Sequence, residues 1–255
     1  MPSQKYNKLA GKHILIIGGT SGIGYAVAEA SIESNARVTI SSSSAARVES
    51  SIASIKKAYS SADVKGYTCD LSKSTVESDL EALFKQTGNV DHIVFTAGDA
   101  PAIMALKDVS YDSIIAAGQI RFTAALLAAK VGAKHLNKGP DSSIVFTSGT
   151  IAERPTPNWT TIASYAAALL GMTRNLAIDL APIRVNLVMP GSTDTELWNG
   201  LPDEHKQAIF KSIAGKVPTG HVGKPEEVAE AYLWLMKDSN VTGFVARSDS
   251  GANIV

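Results

Sequence analysis

Three glycines and a short serine–arginine run are the residues whose types and spacing point to chemistry. Gly18, Gly22 and Gly24 stand in HILIIGGTSGIGYAVAEA, between an apolar run and an amphipathic stretch. Glycines let a strand-to-helix turn fold tightly and let backbone N–H groups approach a pyrophosphate at the helix N-terminus. The spacing is G-x-x-x-G-x-G, not the G-x-G-x-x-G of most dinucleotide sites, and an ordinary tight turn would also explain the glycines. The readable strand before them and helix after them favour a nucleotide. The next apolar run ends in ISSSSAAR. A site for NAD normally has a carboxylate here to bind the adenosine ribose hydroxyls. Ser41, Ser42, Ser43 and Ser44 offer hydroxyls and no carboxylate, and Arg47 follows within reach of a 2′-phosphate. Some of these serines must also cap the following helix. The missing acid favours NADP(H).

The elements that position these residues alternate along the chain. Strand-like runs lie at 13–18, 36–41, 64–69, 91–97, 142–148, 183–189 and 243–247, and helix-like stretches near 23–34, 45–59, 73–86, 110–136, 161–180 and 225–237. Strands separated by helices imply right-handed crossovers and a mostly parallel sheet covered on both faces. The expected fold is α/β, a Rossmann-type doubly wound sheet of seven strands in three layers, as one domain over 1–255 with no linker or repeat. Basic and acidic residues balance at 24 each, which gives no footprint for nucleic acid or an anionic membrane. The single cysteine, Cys69, excludes an internal disulfide and fits a reducing compartment. No apolar run approaches the ~18–20 residues of a membrane span, and MPSQKYNKLAGKH has no apolar signal core. These features predict a soluble cytoplasmic protein. His13, His92 and His135 are scattered and suggest no metal site.

Several segments in the right order resemble the short-chain dehydrogenase/reductase family over about residues 9–252. GGTSGIG, with Thr20, Ser21 and Ile23 among its glycines, matches the family's glycine motif, with Ile17 where a threonine is usual. Cys69-Asp70-Leu71 matches the segment whose aspartate holds the adenine. Ala97-Gly98 matches the end of Asn-Asn-Ala-Gly, both asparagines being replaced, by Phe95 and Thr96. IRVNLVMPGSTDT matches the sixth strand and the turn that flanks the nicotinamide, with Pro190, Gly191, Thr193 and Thr195 in place. The resemblance further implies a homodimer or homotetramer through the helices near 110–136 and 161–180.

Against that pattern the catalytic tetrad is missing. Thr173-Arg174-Asn175-Leu176-Ala177 matches the family's anchor downstream of the catalytic tyrosine. Counting back without a gap puts the tyrosine position at Ile162, the lysine at Ala166, the serine at Gly149 and the asparagine at Gly118. Tyr165 falls beside the family position. If a gap moved it into place, the lysine would be Leu169. In the family, tyrosine protonates the carbonyl oxygen as hydride arrives, and the lysine cation lowers its pKa. Losing that general acid would cost a ketone reduction on the order of 10²–10⁴-fold. Hydride addition to an iminium carbon gives a neutral amine and needs no proton at that moment. Such a substrate needs positioning and a suitable field instead.

A narrower resemblance fits that substrate. ERPTPNWTT resembles the Pro-Asp-Pro-Gly-Trp loop of fungal reductase/Diels–Alderases of the malbrancheamide and paraherquamide alkaloid type, which lack the Tyr–Lys pair and reduce an iminium with NADPH before a cyclisation. Trp159 matches, Thr156 stands where those proteins have an acid, and Arg121 matches their active-site arginine, three residues past Gly118 and so expected on the same helical face. Each has a bland alternative: a surface charge for Arg121, a loop plug for Trp159, a plain loop residue for Thr156. Tyr165 is expected to pack. The resemblance implies an NADPH-dependent reductase of an activated small molecule in fungal secondary metabolism. The alternative is a redox-silent protein of the same fold, a cyclase or a cofactor-binding pseudoenzyme. The segment around 192–215 carries no readable code.

Overall fold

The structure, a computed structural model, describes residues 5–255. Seven parallel strands form one sheet in the order β3-β2-β1-β4-β5-β6-β7. They are β1 (His13–Ile17), β2 (Arg37–Ser42), β3 (Val64–Thr68), β4 (His92–Phe95), β5 (Ser143–Thr147), β6 (Arg184–Pro190) and β7 (Val245–Ser248). The order reverses between β1 and β4, which opens a crevice at the carboxyl ends of the strands, where ligands of such sheets bind. Strand β1, HILII, is buried at every residue, as a central parallel strand covered on both faces must be. Ile14 and Ile16 pack with α1 (Gly22–Glu33), α2 (Ala45–Ala58) and α8 (Pro225–Lys237). Leu15 and Ile17 face the opposite layer, with α3 (Val76–Thr87), α5 (Ala125–Gly132) and α6 (Thr160–Asp179).

The stretch expected as one helix over 110–136 has three parts. Helix α4 (Tyr111–Gly118) runs through a π-helical segment, Gln119–Ala124, into α5. The wider π turn changes which residues share a face. The same stretch corrects the expectation that no apolar run approaches the length of a membrane span. Tyr111–Gly132 is long and apolar enough, by length and composition, to cross a membrane. In the fold its alanines 117, 124, 125, 128 and 129 are buried, the last four within the core on one face of the sheet. One helix is absent from the sequence reading, α7 (Asp203–Ala214), which has no fully buried residue.

At the amino ends of the strands, charge is buried. Arg184 is 3% exposed and donates to the carbonyls of Pro140, Leu235, Met236 and Val241. Two of these belong to the last turn of α8, where a cation is favoured. On β4, two strands away across β5, His92 is 1% exposed and shares a hydrogen bond of 2.9 Å with Ser143 Oγ. Burial, reinforced by the Arg184 charge, pushes its pKa from 6.5 down to about 3. The folded chain therefore holds this ring neutral while the unfolded chain protonates it below its ordinary value. Stability present above pH 6.5 is lost as pH falls towards 3. We expect urea unfolding to show a loss of about 2 kcal/mol between pH 7 and 5, most of it absent in His92→Gln. A flat profile in wild type would refute this.

Candidate active site

The glycine turn is built by close backbone approach. Gly18 has φ +96, and a Cβ there would lie 2.7 Å from Ala97 Cα. The N–H groups of Gly18 and Gly19 both donate to the Ser41 carbonyl, at 3.0 and 3.2 Å, and hook the turn over β2. Ser41 serves through this carbonyl, since its side chain is 1% exposed. Thr96, where the family has asparagine, donates from its hydroxyl to the carbonyls of Ile17 and Gly18. Gly22 opens α1 at φ +49, and Ile23 packs on the core behind it. Ser21 is the N-cap, yet no side chain caps this helix and its first turn holds no acid. The N-terminal N–H groups of α1 thus keep a positive end facing the crevice. Thr20 is tied by its carbonyl to Ser51 Oγ. This cradle fits a dinucleotide pyrophosphate.

The adenosine end follows. Ser42 ends β2. Exposed Ser43 accepts 2.9 Å from Arg47 Nη2, and Ser44 caps α2 by accepting from the Arg47 N–H. A guanidinium, hydroxyls and a helix N-terminus so converge where a 2′-phosphate would lie. Asp70 accepts from the Ser72 hydroxyl at 2.7 Å and the Ser72 N–H at 3.1 Å. Those bonds, with Lys73 nearby, hold its carboxyl below the usual range. Leu71 is buried, and its carbonyl accepts from Gln119 Nε2 at 3.0 Å. We expect Arg47→Ala to weaken NADPH binding by about 1–2 kcal/mol, the scale of a charge-assisted hydrogen bond, and to leave NADH binding nearly unchanged. Calorimetry showing equal losses for both would remove the phosphate contact.

The tetrad positions carry no acid. Ile162 is 5% exposed. The carbonyl of Ala166 accepts from Ser148 Oγ at 2.8 Å. Gly149 is extended, and nothing lies closer than 3.9 Å to where its Cβ would be. Gly118 is different, because a Cβ there would lie 2.6 Å from the Tyr165 hydroxyl. The tyrosine ring thus lies against the asparagine position, 5.9 Å from the Phe122 ring, with its hydroxyl donating to the Ile114 carbonyl at 2.9 Å. Its proton is spent on bridging α6 to α4.

Arg121 lies within the π segment. Its guanidinium lies on Gly98, with both terminal nitrogens 3.2 Å from where a Cβ would be. Nε donates 3.0 Å to Asp99 Oδ1, and Nη2 donates to the Asp99 carbonyl. Asp99 belongs to no motif and escapes sequence reasoning. The pair is partly exposed, 26% and 40%, at the end of β4.

The loop after β5 closes on a turn from Thr156 to Trp159, whose N–H donates to the Thr156 carbonyl at 3.2 Å. Asn158 sits at φ +66, a conformation asparagine tolerates in place of glycine. Its carbonyl accepts from Met104 N–H at 3.0 Å, tying this loop to the one that carries Asp99. Trp159 is half-buried at the N-cap position of α6, and Thr156 is exposed. After β6, Pro190 is buried and Gly191 lies against Asp249, the nearest atom 2.8 Å from a built Cβ. Thr193 is buried and accepts from Trp198 Nε1 at its carbonyl, 2.8 Å, while Thr195 packs on Gly22. The Trp198 ring meets Phe210 edge-on, and Lys206 pairs with Asp194 at 2.7 Å, which fastens α7 to this segment. The turn Pro202-Asp203-Glu204, proline followed by acids, is the start signal that α7 offers in the sequence.

A doubly wound parallel sheet with an open glycine cradle at its switch point defines a dinucleotide-binding protein of the Rossmann class. The SDR-like Rossmann domain matches residues 5–255, and the chain belongs to the short-chain dehydrogenase/reductase family of oxidoreductases. It is 43% identical to the short-chain dehydrogenase/reductase fsr5 of Gibberella fujikuroi over 96% of each chain. It is 38% identical to malC of Malbranchea aurantiaca over 95% of each. The structure of the MalC reductase/Diels–Alderase superposes with a TM-score of 0.93 over 99% of this chain and all of that one. A small-chain dehydrogenase in complex with NADPH, 30% identical, superposes at 0.78 over 96% of this chain and all of that one.

Proposed function

We propose that this protein is an NADPH-dependent reductase of an iminium or similarly activated small molecule, in a fungal alkaloid-type secondary pathway. The carrying observation is the replacement of all four proton-handling positions, with the Arg121–Asp99 pair standing at Gly98 instead. The glycine cradle, the Ser43–Arg47 corner and the NADPH complex of a relative support the cofactor. The bound dinucleotide would supply hydride. The work left to the chain is to hold and orient a cation while excluding water. Arg121, fixed at two points by Asp99, presents a planar donor beside the end of β4. The pair is neutral overall, so it gives an oriented dipole without repelling a cationic substrate. Trp159 offers an aromatic wall and cation–π attraction to the same charge.

Diels–Alderase activity belongs to a relative, the MalC reductase/Diels–Alderase. Exposed Thr156 lacks the acid of that group's loop, so reduction is the step these residues support best. A redox-silent cyclase is the second reading, favoured by the same empty tetrad. The proposal is tested by mixing protein, NADPH and a dihydroisoquinolinium salt: NADPH absorbance falls if the reading is right. Product formation from the natural precursor with no NADPH consumed would favour the cyclase.

We further propose a single-domain cytoplasmic protein that works as a homodimer or homotetramer without nucleic acid, membrane or metal partners. Ile114, Ile115 and Leu126 are exposed along the 111–132 helix, beside a groove lined by Phe122, Met172 and Leu176. A second copy of this face is its natural cover, since it continues from helix to helix with few charges. Sedimentation at micromolar concentration tests it.

A further inference from the structure

The loop that ends in Trp159 is not free at its other end. Glu153, three residues before Thr156, accepts from Arg247 Nε at 2.9 Å and Nη2 at 2.6 Å, a bidentate pair. It also accepts from Asn253 Nδ2 at 3.1 Å. The adjacent Arg154 donates to the Ala252 carbonyl at 2.5 Å. The C-terminal segment is itself held in shape, because Asp249 accepts from the N–H groups of Gly251 and Asn253. Gly251, at φ +78, packs on Pro218. The backbone of Asp249 lies directly on Gly191, and Asn253 reaches Met189. Residues 247–253 therefore join two walls of the crevice: the β5–α6 loop and the Pro190–Gly191 turn.

Two features separate this from an incidental surface ion pair. The bonds are bidentate and networked, the geometry in which such pairs matter. Asn253 spends its donor on Glu153 although its Oδ1 is left buried without a partner, a cost that calls for a compensating role.

We propose that Glu153, Arg247 and Asn253 form a clasp that positions Trp159, so that Glu153 is a positioning residue for turnover although it stands outside the tetrad. The inference rests on the reading of Trp159 as a substrate wall. The clasp fixes the spacing between the two walls, and releasing it lets the loop and its tryptophan drift. Cofactor affinity changes little, since the pyrophosphate cradle on β1 and α1 and the Ser43–Arg47 corner at the start of α2 lie away from the clasp.

The test uses the full chain labelled with fluorotryptophan, the Trp159 fluorine resonance being assigned by its loss in Trp159→Phe. In Glu153→Ala that resonance shifts and broadens while the Trp234 resonance stays in place. With the dihydroisoquinolinium probe, kcat/KM falls about tenfold, the scale of a modest mispositioning, and NADPH affinity stays within about twofold. Arg247→Gln, at a largely exposed side chain, gives the same signature should Glu153→Ala fold poorly. The swap Glu153→Arg with Arg247→Glu recovers part of the resonance position, which a generally loosened fold would not. An unmoved Trp159 resonance in both single variants overturns the clasp. A moved resonance with unchanged turnover keeps the clasp and overturns the role given to Trp159.

Discussion

Gly24→Ala is expected to abolish useful NADPH binding while leaving a folded protein. A Cβ at this position would fall inside van der Waals contact of the Gly18 carbonyl oxygen and the Thr96 hydroxyl. The carbonyl is backbone and cannot rotate away, so the first turn of α1 must shift. The N–H groups at that end then lose their aim at the pyrophosphate. Losing two charge-assisted hydrogen bonds costs about 3–6 kcal/mol, or roughly 10²–10⁴-fold in affinity. Overpacking should cost the fold only about 1–3 kcal/mol. Gly171→Ala is the control, because its Cβ would meet nothing within 4 Å in the middle of α6. It should bind NADPH normally and gain up to about 1 kcal/mol from helix propensity. Calorimetry and urea unfolding on both variants separate the effects. Normal binding by Gly24→Ala would place the pyrophosphate elsewhere.

Arg121→Ala should lose on the order of 10²-fold in turnover, the cost of a misplaced substrate, with NADPH affinity almost unchanged. The alanine leaves Asp99 as an unpaired carboxylate at the end of β4. Arg121→Lys should recover little, because a single ammonium cannot reproduce the two contacts to Asp99 Oδ1 and the Asp99 carbonyl. Trp159→Ala should behave like Arg121→Ala. Tyr165→Phe should be nearly silent in turnover, since the hydroxyl is committed to the Ile114 carbonyl. If Tyr165→Phe lost activity and Arg121→Ala did not, the tyrosine would be the working acid after all.

The sheet was legible because a buried parallel strand is a continuous apolar run, and HILII, SIVFT and RVNLVMP read that way. Most strand and helix ends shift by only one or two residues. The cofactor cradle was legible too, since glycine is needed where backbone meets backbone, as Gly18 does with Ala97. Three features were not. Helix α7 buries no residue completely and so has little apolar stripe to read. The π segment at Gln119–Ala124, which carries Arg121, has no residue pattern of its own. Asp99 stands in a loop, 22 residues from the arginine it holds, and only the fold brings them together. In the sequence the tetrad losses are four separate absences. In the structure one of them has a steric reason: the Tyr165 ring occupies space that only a glycine at 118 leaves.

The central claim is that hydride goes to a carbon whose acceptor needs no proton. The most direct measurement is transfer of deuterium from deuterated NADPH to a dihydroisoquinolinium salt, followed by mass spectrometry of the amine, beside a panel of ketones at equal concentration. The account predicts deuterium in the tetrahydroisoquinoline at enzyme-dependent rates, and ketone reduction lower by on the order of 10²-fold or more, the size of the missing general-acid contribution. Ketones reduced as fast as the iminium would contradict it, and would mean that a proton donor outside the lost tetrad is at work.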